Sequence, residues 1–327
     1  MRPSLLLIAL LLSLPDLAAA ALFRNETLQV LHEQGRDEEL LRESLGRSEP
    51  EALAAQALAQ AWPNDAAALA RAVQAAEACA LQHPQQAVCH YALGVVLGVE
   101  ALRGGWFKGL GLIGRVRAGL ERAQALDPQL FDARSHLQQL YLLLPGVAGG
   151  GLERARALEL EVRDSQPEQA KLLRARLAIK DKRWQDAERE LASIRLGDAR
   201  AFQNDVLQAW STLSRQWMKG NEHAHARSRF EALAAQLPQL ALPVYALGRV
   251  AADAGQHEEA LRFYARAQAL SGARPLPLDH RMGLSLKELG RMEAAREHLQ
   301  RFLRHPHAAP SALEDARKLL RALGDTP

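Results

Sequence analysis

Two stretches near the end of the chain decide the fold: ALGRVAADAGQHEEALRFYARAQAL, residues 246–270, and MGLSLKELGRMEAAREHLQRFL, residues 282–303. Three pairs of small residues in them lie 35 positions apart: Gly248 and Gly283, Gly255 and Gly290, and Ala260 and Ala295. A constant spacing of about 34 residues is typical of repeats built from two helices. Gly248 and Ala260 would leave a gap between the two helices, and Tyr264 would fill it. Such a pair cannot bury its apolar face alone, so the sequence predicts a stack of neighbouring pairs.

The pattern resembles the tetratricopeptide repeat, in which a large residue, a Leu-Gly pair, a Gly turn, an Ala and an aromatic residue recur. The residues that carry the resemblance are Val244, Leu247, Gly248, Ala251, Gly255, Ala260, Tyr264 and Ala267 in the first copy, and Leu286, Gly290, Ala295, Leu299, Phe302 and Pro306 in the second. More degenerate copies extend the resemblance over roughly residues 50–308. It implies an all-α fold, a right-handed superhelical α-solenoid of about six helix-turn-helix repeats. The packing positions that it implies are Gly94, Gly248, Ala260, Tyr264, Gly283 and Ala295.

The repeat divides the chain into four parts. Residues 1–20 form a predicted signal peptide, 21–48 an N-terminal helical segment that matches no repeat, 49–308 the solenoid, and 309–327 a capping helix and tail. Within the solenoid, residues 103–117 and 145–151 are predicted to be lengthened turns that project from the same edge.

The composition agrees with an all-helical chain. Of its 327 residues 48% are apolar and 5% aromatic, and strong helix formers such as Ala, Leu and Glu predominate. The net charge of +3 is small, and Lys and Arg alternate with Glu and Asp. Charge arranged in this way is typical of solvated helix faces, so the sequence indicates no nucleic-acid partner.

The first twenty residues have the pattern of a cleavable signal peptide. Arg2 is followed by an apolar run from Leu5 to Leu14 and by Ala18-Ala19-Ala20, a small-residue cleavage pattern. About ten apolar residues are too few to cross a bilayer, which takes about twenty. No Cys follows the cleavage site, so the pattern predicts a periplasmic or secreted protein, not a lipoprotein, without a later transmembrane segment. The alternative is an uncleaved anchor.

Export bears on the two cysteines. Cys79 and Cys89 lie five residues either side of Pro84, and a turn there would let two antiparallel helices bring them together. In an oxidising compartment such a pair is predicted to form a disulfide. The alternative is a free buried pair.

The two lengthened turns are unusual in composition. The segment 103–117, RGGWFKGLGLIGRVR, is apolar, and Trp106 and Phe107 make it a candidate contact surface for a partner. The alternatives are a local cap on its own repeat and contact with a membrane surface.

The glycines at 146–151 could hold a phosphate at a helix start. They lack the Lys-Ser/Thr of a nucleotide loop, so we interpret them as a structural turn, with a small anion as the alternative.

In tetratricopeptide proteins the first helix of each pair lines a concave groove. The resemblance implies that six side chains of the last three copies share this surface: Arg215, Lys219, Tyr245, Arg249, His280 and Lys287. Because arginine binds carboxylates through paired hydrogen bonds, the strip suits an acidic or carboxylate-ended peptide. The alternative is a solvated face partly neutralised by Asp253 and Glu288.

No pattern indicates catalysis. The sequence contains neither a G-x-S-x-G elbow nor an H-E-x-x-H metal pair, and it indicates no cofactor. The chain is similar to a group of exported bacterial repeat proteins, and weakly similar to the repeat-containing periplasmic component associated with some TRAP-type transporters. The sequence therefore predicts a non-catalytic scaffold or adaptor for a protein or peptide partner in the cell envelope. The alternative is a solute- or peptide-binding accessory protein of a transport system, with its ligand between the two long turns and the stack.

Overall fold

The computed structural model describes residues 21–324, apart from the side chains of residues 106–108. Within this range the chain forms 17 α-helices and one short 3₁₀ turn, and no β-strand. The helices are α1 (Glu26–Glu33), α2 (Asp37–Ser44), α3 (Pro50–Ala61), α4 (Ala66–Gln82), α5 (Ala87–Arg103), α6 (Gly105–Leu126), α7 (Phe131–Leu143), α8 (Leu152–Leu160), α9 (Pro167–Lys180), α10 (Trp184–Ala192), α11 (Arg200–Lys219), α12 (His223–Gln236), α13 (Ala241–Asp253), α14 (His257–Gln268), α15 (Leu278–Glu288), α16 (Met292–Leu303) and α17 (Pro310–Ala322).

Seven helix pairs, from α3/α4 to α15/α16, form the solenoid of the described chain. The sequence predicts about six repeats, and the one segment whose register is ambiguous in the sequence, residues 169–181, corresponds to α9. The first helices of successive pairs pack side by side, as α3 does on α5 and α11 on α13. α1 and α2 precede the pairs, and α17 covers α16 at the other end.

Glycines let the two helices of a pair approach closely. A Cβ atom added at Gly248 would lie 2.4 Å from Cε1 of Tyr264, which is fully buried. At Gly94 and Gly283 an added Cβ would lie 2.8 Å from the Cγ atom of a leucine in the second helix. Any larger residue at these positions would force the helices apart.

The segment 103–117 is helical, so the prediction of a long turn there is wrong. α5 ends at Arg103 and α6 begins at Gly105, and the chain reverses through Gly104 and Gly105 alone. One of the glycines that suggest a turn instead allows helix contact, since a Cβ at Gly109 would lie 3.2 Å from the carbonyl oxygen of Ala101 in α5. The insertion therefore lengthens both helices of this pair to 17 and 22 residues.

The glycine-rich segment 145–151 forms a compact turn before α8. The backbone N–H groups of Gly149, Gly150 and Gly151 donate to the carbonyl oxygens of Gly146, Pro145 and Tyr141 at 2.8–3.2 Å. The Arg117 guanidinium lies against Gly149, where φ is 80°. Because carbonyl groups of the turn and of α7 already accept these hydrogen bonds, the N–H groups of these three glycines are not available to a phosphate.

A disulfide links α4 to α5. Cys79 and Cys89 are joined across the turn at Pro84, with their Cα atoms 5.2 Å apart, and both side chains are fully buried. The cross-link fixes the second helix of the first pair to the first helix of the next.

The N-terminal segment lies inside the curve of the solenoid. Leu22, Phe23, Leu28 and Leu31 are buried in one apolar cluster with side chains of α3 and α5. The backbone N–H groups of Arg24 and Asn25 donate to the Glu51 carboxylate at 3.1 and 2.9 Å, at the start of α3. The groove is thus already partly filled by the chain itself.

The two ends of the solenoid meet. Asn64, in the turn after α3, donates from its backbone nitrogen to the carbonyl of Pro306 at 2.9 Å and from Nδ2 to the carbonyl of Ala308 at 2.8 Å. Arg274 pairs with Glu38 at 3.1 Å. These contacts join residues more than 230 positions apart, since 308 − 64 is 244 and 274 − 38 is 236, so the seven pairs form a closed arrangement.

None of the helices between residues 21 and 324 has both the length and the apolar character needed to span a bilayer. The predicted signal peptide, residues 1–20, lies outside the described residues.

Candidate binding sites on the concave face

Three arginines from successive first helices lie together on the concave side. Arg215 of α11 is exposed, whereas Arg249 of α13 and Arg281 of α15 are half-buried. Burial lowers the pKa of Arg249, and the guanidinium groups of Arg281 and Arg215 lower it further. We refer to Arg215, Arg249 and Arg281 as the arginine cluster.

The arginine cluster lacks a counter-charge. Within residues 21–324 no carboxylate pairs with any of the three guanidinium groups, and the buried Nε atom of Arg281 has no hydrogen-bond partner. The two acidic residues expected to neutralise the predicted basic strip do not contact the arginine cluster, although Glu288 neutralises Lys287 of that strip. Asp253 accepts a hydrogen bond from His223 at 2.8 Å, and Glu288 accepts one from Lys287 at 3.0 Å.

The two tyrosines beside the arginine cluster belong to the core. Tyr245 is 7% exposed, and its ring packs on that of Tyr264 with the centroids 5.9 Å apart. Burial raises the pKa of Tyr264 above its usual range, and the charges of Arg281 and Arg249 act in the opposite direction. Tyr245 therefore packs beneath the arginine cluster as a core residue. It is not the solvent-exposed aromatic side chain that the sequence predicts for contact with a partner.

The other predicted partner-binding residues have different surroundings. Lys219 is exposed at the end of α11, and Lys287 is half-buried. His280 is 6% exposed: its Nε2 lies 2.8 Å from the Asp315 carboxylate of α17, and its ring packs on Phe302. The prediction that His280 lines the open groove is wrong, because α17 covers that position. The side chains of Trp106 and Phe107 lie outside the described residues.

A second candidate site is a cavity of about 190 Å³ between the N-terminal segment and the solenoid, which we call the central cavity. Five helices or their ends contribute its lining. The side chains are Leu22, Gln29, His32, Glu33, Leu58, Trp62, Tyr91, Val95, Asp132, His136, Ala201, Asn204 and Asp205. It is thus assembled from α1, α3, α5, α7 and α11, which only the curvature of the solenoid brings together.

Burial shifts the pKa values of three ionisable groups of the central cavity, Asp132, His32 and His136. Burial and, to a smaller extent, the nearby charge of Asp205 raise the pKa of Asp132 to about 7. Burial also lowers the pKa of His32 to about 4, with the neighbouring His136 acting in the same direction. The pKa of His136 itself is lowered by burial, and its Nδ1 lies 3.2 Å from the Tyr91 hydroxyl. Both imidazoles are therefore neutral near pH 7.

The sequence reveals only part of these two sites. Arg215 and Arg249 lie 34 positions apart, as the repeat requires, but Arg281 is 32 positions after Arg249 and so falls outside the register. Asp132 and His136 lie four positions apart, which places them on one helix face. That spacing is the signal in the sequence that could have indicated the central cavity.

The chain is similar to several solved structures. A monomeric mutant of IFIT1 solved with Gppp-AAAA has a TM-score of 0.51 and 12% identity, covering 90% of this chain and 68% of that chain. A tetratricopeptide repeat protein from Parabacteroides merdae has a TM-score of 0.49 and 14% identity, covering 88% and 99%. TTC0263 from Thermus thermophilus has a TM-score of 0.35 and 18% identity, covering 72% and 96%.

No protein-family model matches the chain, and no curated protein matches it either. The structural likeness confirms the predicted fold, an all-α solenoid of the tetratricopeptide type. The similarity to the TRAP-associated component stays a hypothesis.

Proposed function

We propose that this protein is an exported, non-catalytic scaffold whose concave face binds an acidic segment of a protein partner in the cell envelope. The fold supports a protein-interaction role, since stacked helix pairs form extended concave binding surfaces. The observation that carries the acidic specificity is the arginine cluster. Its three guanidinium groups converge without a carboxylate partner in the described chain.

The chemistry of the arginine cluster favours a carboxylate. Removing a charge from water is costly unless an opposite charge replaces the lost hydration, and Arg249 and Arg281 are both half-buried. A partner's Asp, Glu or terminal carboxylate could accept two parallel hydrogen bonds from one guanidinium group. Lys219, exposed on the same helix as Arg215, would extend the basic surface.

Two observations support export. The pattern of residues 1–20 is that of a signal peptide. The disulfide between Cys79 and Cys89 suits an oxidising compartment, where such bonds form and persist. The proposed location is therefore the periplasm or the exterior of the cell.

The proposal can be tested with a fluorescein-labelled hexaglutamate peptide and the full mature chain. We expect saturable binding that weakens as salt is raised, and at least tenfold weaker binding by Arg249→Gln, because a hydrogen bond to a charged group contributes about 1.5–3 kcal/mol. Arg291→Gln is the matched control, because Arg291 is exposed and already pairs with Glu258. Equal binding by both variants, or no binding of the peptide, would contradict the proposal.

An accessory role in transport remains the alternative, and the central cavity is the observation that favours it. A ligand between two projecting turns is no longer part of this alternative, because residues 103–117 are helical.

A further inference from the structure

The central cavity carries more negative than positive charge. Asp205 is neutralised by Arg176, whose Nη2 lies 3.0 Å from its carboxylate, and Ser135 donates a hydrogen bond to the same oxygen. Asp132 has no such partner: among the described residues no cationic side chain pairs with its carboxylate. Glu33 accepts a hydrogen bond from Gln29 at 2.8 Å, and the charge of the nearby Arg200 interacts with it.

The groups that face Asp132 come from every helix packed around it. They are His32 and Glu33 of α1, Tyr91 of α5, His136 of α7, Arg176 of α9, and Asp205 and the nearby Arg200 of α11. Arg176 forms an ion pair with Asp205, and Arg200 donates a hydrogen bond to the Ser271 hydroxyl at 2.6 Å. Neither cation therefore bonds to the Asp132 carboxylate.

Aromatic rings complete the surroundings. Tyr91 and Trp62 both line the central cavity, and Trp62 is 40% exposed, so the cavity reaches solvent beside the indole ring. The faces of aromatic rings attract cations. Neutral imidazoles at His32 and His136 add hydrogen-bond acceptors, which an ammonium group can use.

We propose that the central cavity binds a small organic cation with a primary ammonium group, and that Asp132 is its counter-ion. The volume of about 190 Å³ corresponds to roughly six water molecules at about 30 Å³ each, which suits a ligand of diamine or amino-acid size. A metal ion is disfavoured, because in the described chain no three His, Cys, Asp or Glu side chains are grouped so that they could hold one. The bound cation would touch both α1 and the solenoid.

The test is titration calorimetry of the full mature chain with 1,4-diaminobutane, using 1,4-butanediol as the uncharged probe of equal length. We expect saturable binding of the diamine and none of the diol. Asp132→Asn should weaken diamine binding at least tenfold, whereas Glu153→Gln, at a carboxylate that is 87% exposed, should not change it. Diol binding of similar strength, or an unchanged affinity in Asp132→Asn, would overturn the proposal.

The stability of the variant separates a binding role from a structural one. Between the pKa of an unfolded Asp and about 7, the unfolded chain releases a proton that folded Asp132 retains, so this residue lowers stability as pH rises through that range. Asp132→Asn should therefore raise the melting temperature at pH 8 without ligand. A large decrease would show that the carboxylate holds the fold together and would overturn the proposal.

Proton linkage gives a further readout. Because an ammonium ligand favours ionised Asp132, diamine affinity should increase from pH 6 to pH 8, and the increase should be absent in Asp132→Asn. A pH-independent affinity would contradict the assignment of Asp132 as counter-ion. The inference does not depend on the scaffold function, since hexaglutamate binding and diamine binding concern different residues and either can fail alone.

Discussion

At the scale of single residues, glycine sets the distance between paired helices. Gly248 faces the ring of Tyr264, and Gly114 in α6 has open space where its side chain would be. The same substitution at these two positions therefore has opposite consequences, although both glycines lie inside helices.

Gly248→Ala should lower the free energy of unfolding by about 1–3 kcal/mol, because the new methyl group would lie within 2.4 Å of the Tyr264 ring. Gly114→Ala, the matched control, should raise it by about 0.5–1 kcal/mol, since alanine favours a helix more than glycine does. Chemical denaturation measures both. A stabilising effect at Gly248 would show that the two helices do not approach as closely as described.

The disulfide is also a single-residue feature with a measurable contribution. Reducing the bond between Cys79 and Cys89 should lower the free energy of unfolding by about 2.7 kcal/mol, from the entropy of closing a loop of about ten residues. The comparison is denaturation with and without dithiothreitol. The Cys79→Ser/Cys89→Ser variant should not respond to the reductant, and an equal response would trace the effect to something other than the disulfide.

At the scale of elements, sequence reasoning succeeded where the repeat is regular and failed where it is interrupted. The 34- to 35-residue period predicts the last helix pairs because their glycine and aromatic positions recur in register. In 103–117 the glycines suggest a turn, yet Gly109 lies against α5, where an added Cβ would be 3.2 Å from the carbonyl oxygen of Ala101. Gly105 is the glycine of this segment with a positive φ. A tertiary contact here outweighs the weak helix propensity of glycine.

The candidate sites were likewise predictable from the sequence only where they follow the repeat. The period places Arg215 and Arg249 on one surface, but it cannot place Arg281, which is out of register. The central cavity depends on α1, a helix that belongs to no repeat, and on the curvature that brings α11 near α3. A single sequence can predict such a helix, but it shows neither where a helix outside the repeat packs nor how strongly the stack curves.

α1 holds the N-terminal segment in the groove, and we expect one of its side chains to make the largest contribution to the free energy of unfolding. Leu28 is fully buried, so Leu28→Ala should lower the free energy of unfolding by about 2–5 kcal/mol. Val30, two residues later, is 45% exposed, and Val30→Ala should change it by less than about 0.5 kcal/mol. Urea denaturation of both variants tests this, and similar values would mean that α1 is not packed into the solenoid.

At the scale of the whole molecule, polar contacts connect the two ends of the solenoid. The Asn64 side chain and the Arg274–Glu38 pair connect the first helix pair and α2 to the last turns of the chain. Few groups take part, whereas each helix pair is held by its own apolar contacts. The closure is therefore the contact most easily opened without unfolding.

Asn64→Ala combined with Arg274→Ala should increase the radius of gyration measured by small-angle X-ray scattering. The free energy of unfolding should fall by only about 1–2 kcal/mol, as expected for two partly exposed polar contacts. Arg291→Ala, which removes an exposed ion pair within the solenoid, is the control and should leave the radius unchanged. An unchanged radius in the double variant would show that other contacts hold the ends together.

A closed arrangement fixes the number of repeats. In an open array a helix pair can be duplicated or deleted, because each unit touches only its neighbours. Here an added helix pair would separate Pro306 and Ala308 from Asn64. A deleted pair would make the first and last helix pairs overlap sterically. Relatives with the same closure should therefore differ in loop length and surface chemistry but retain seven pairs.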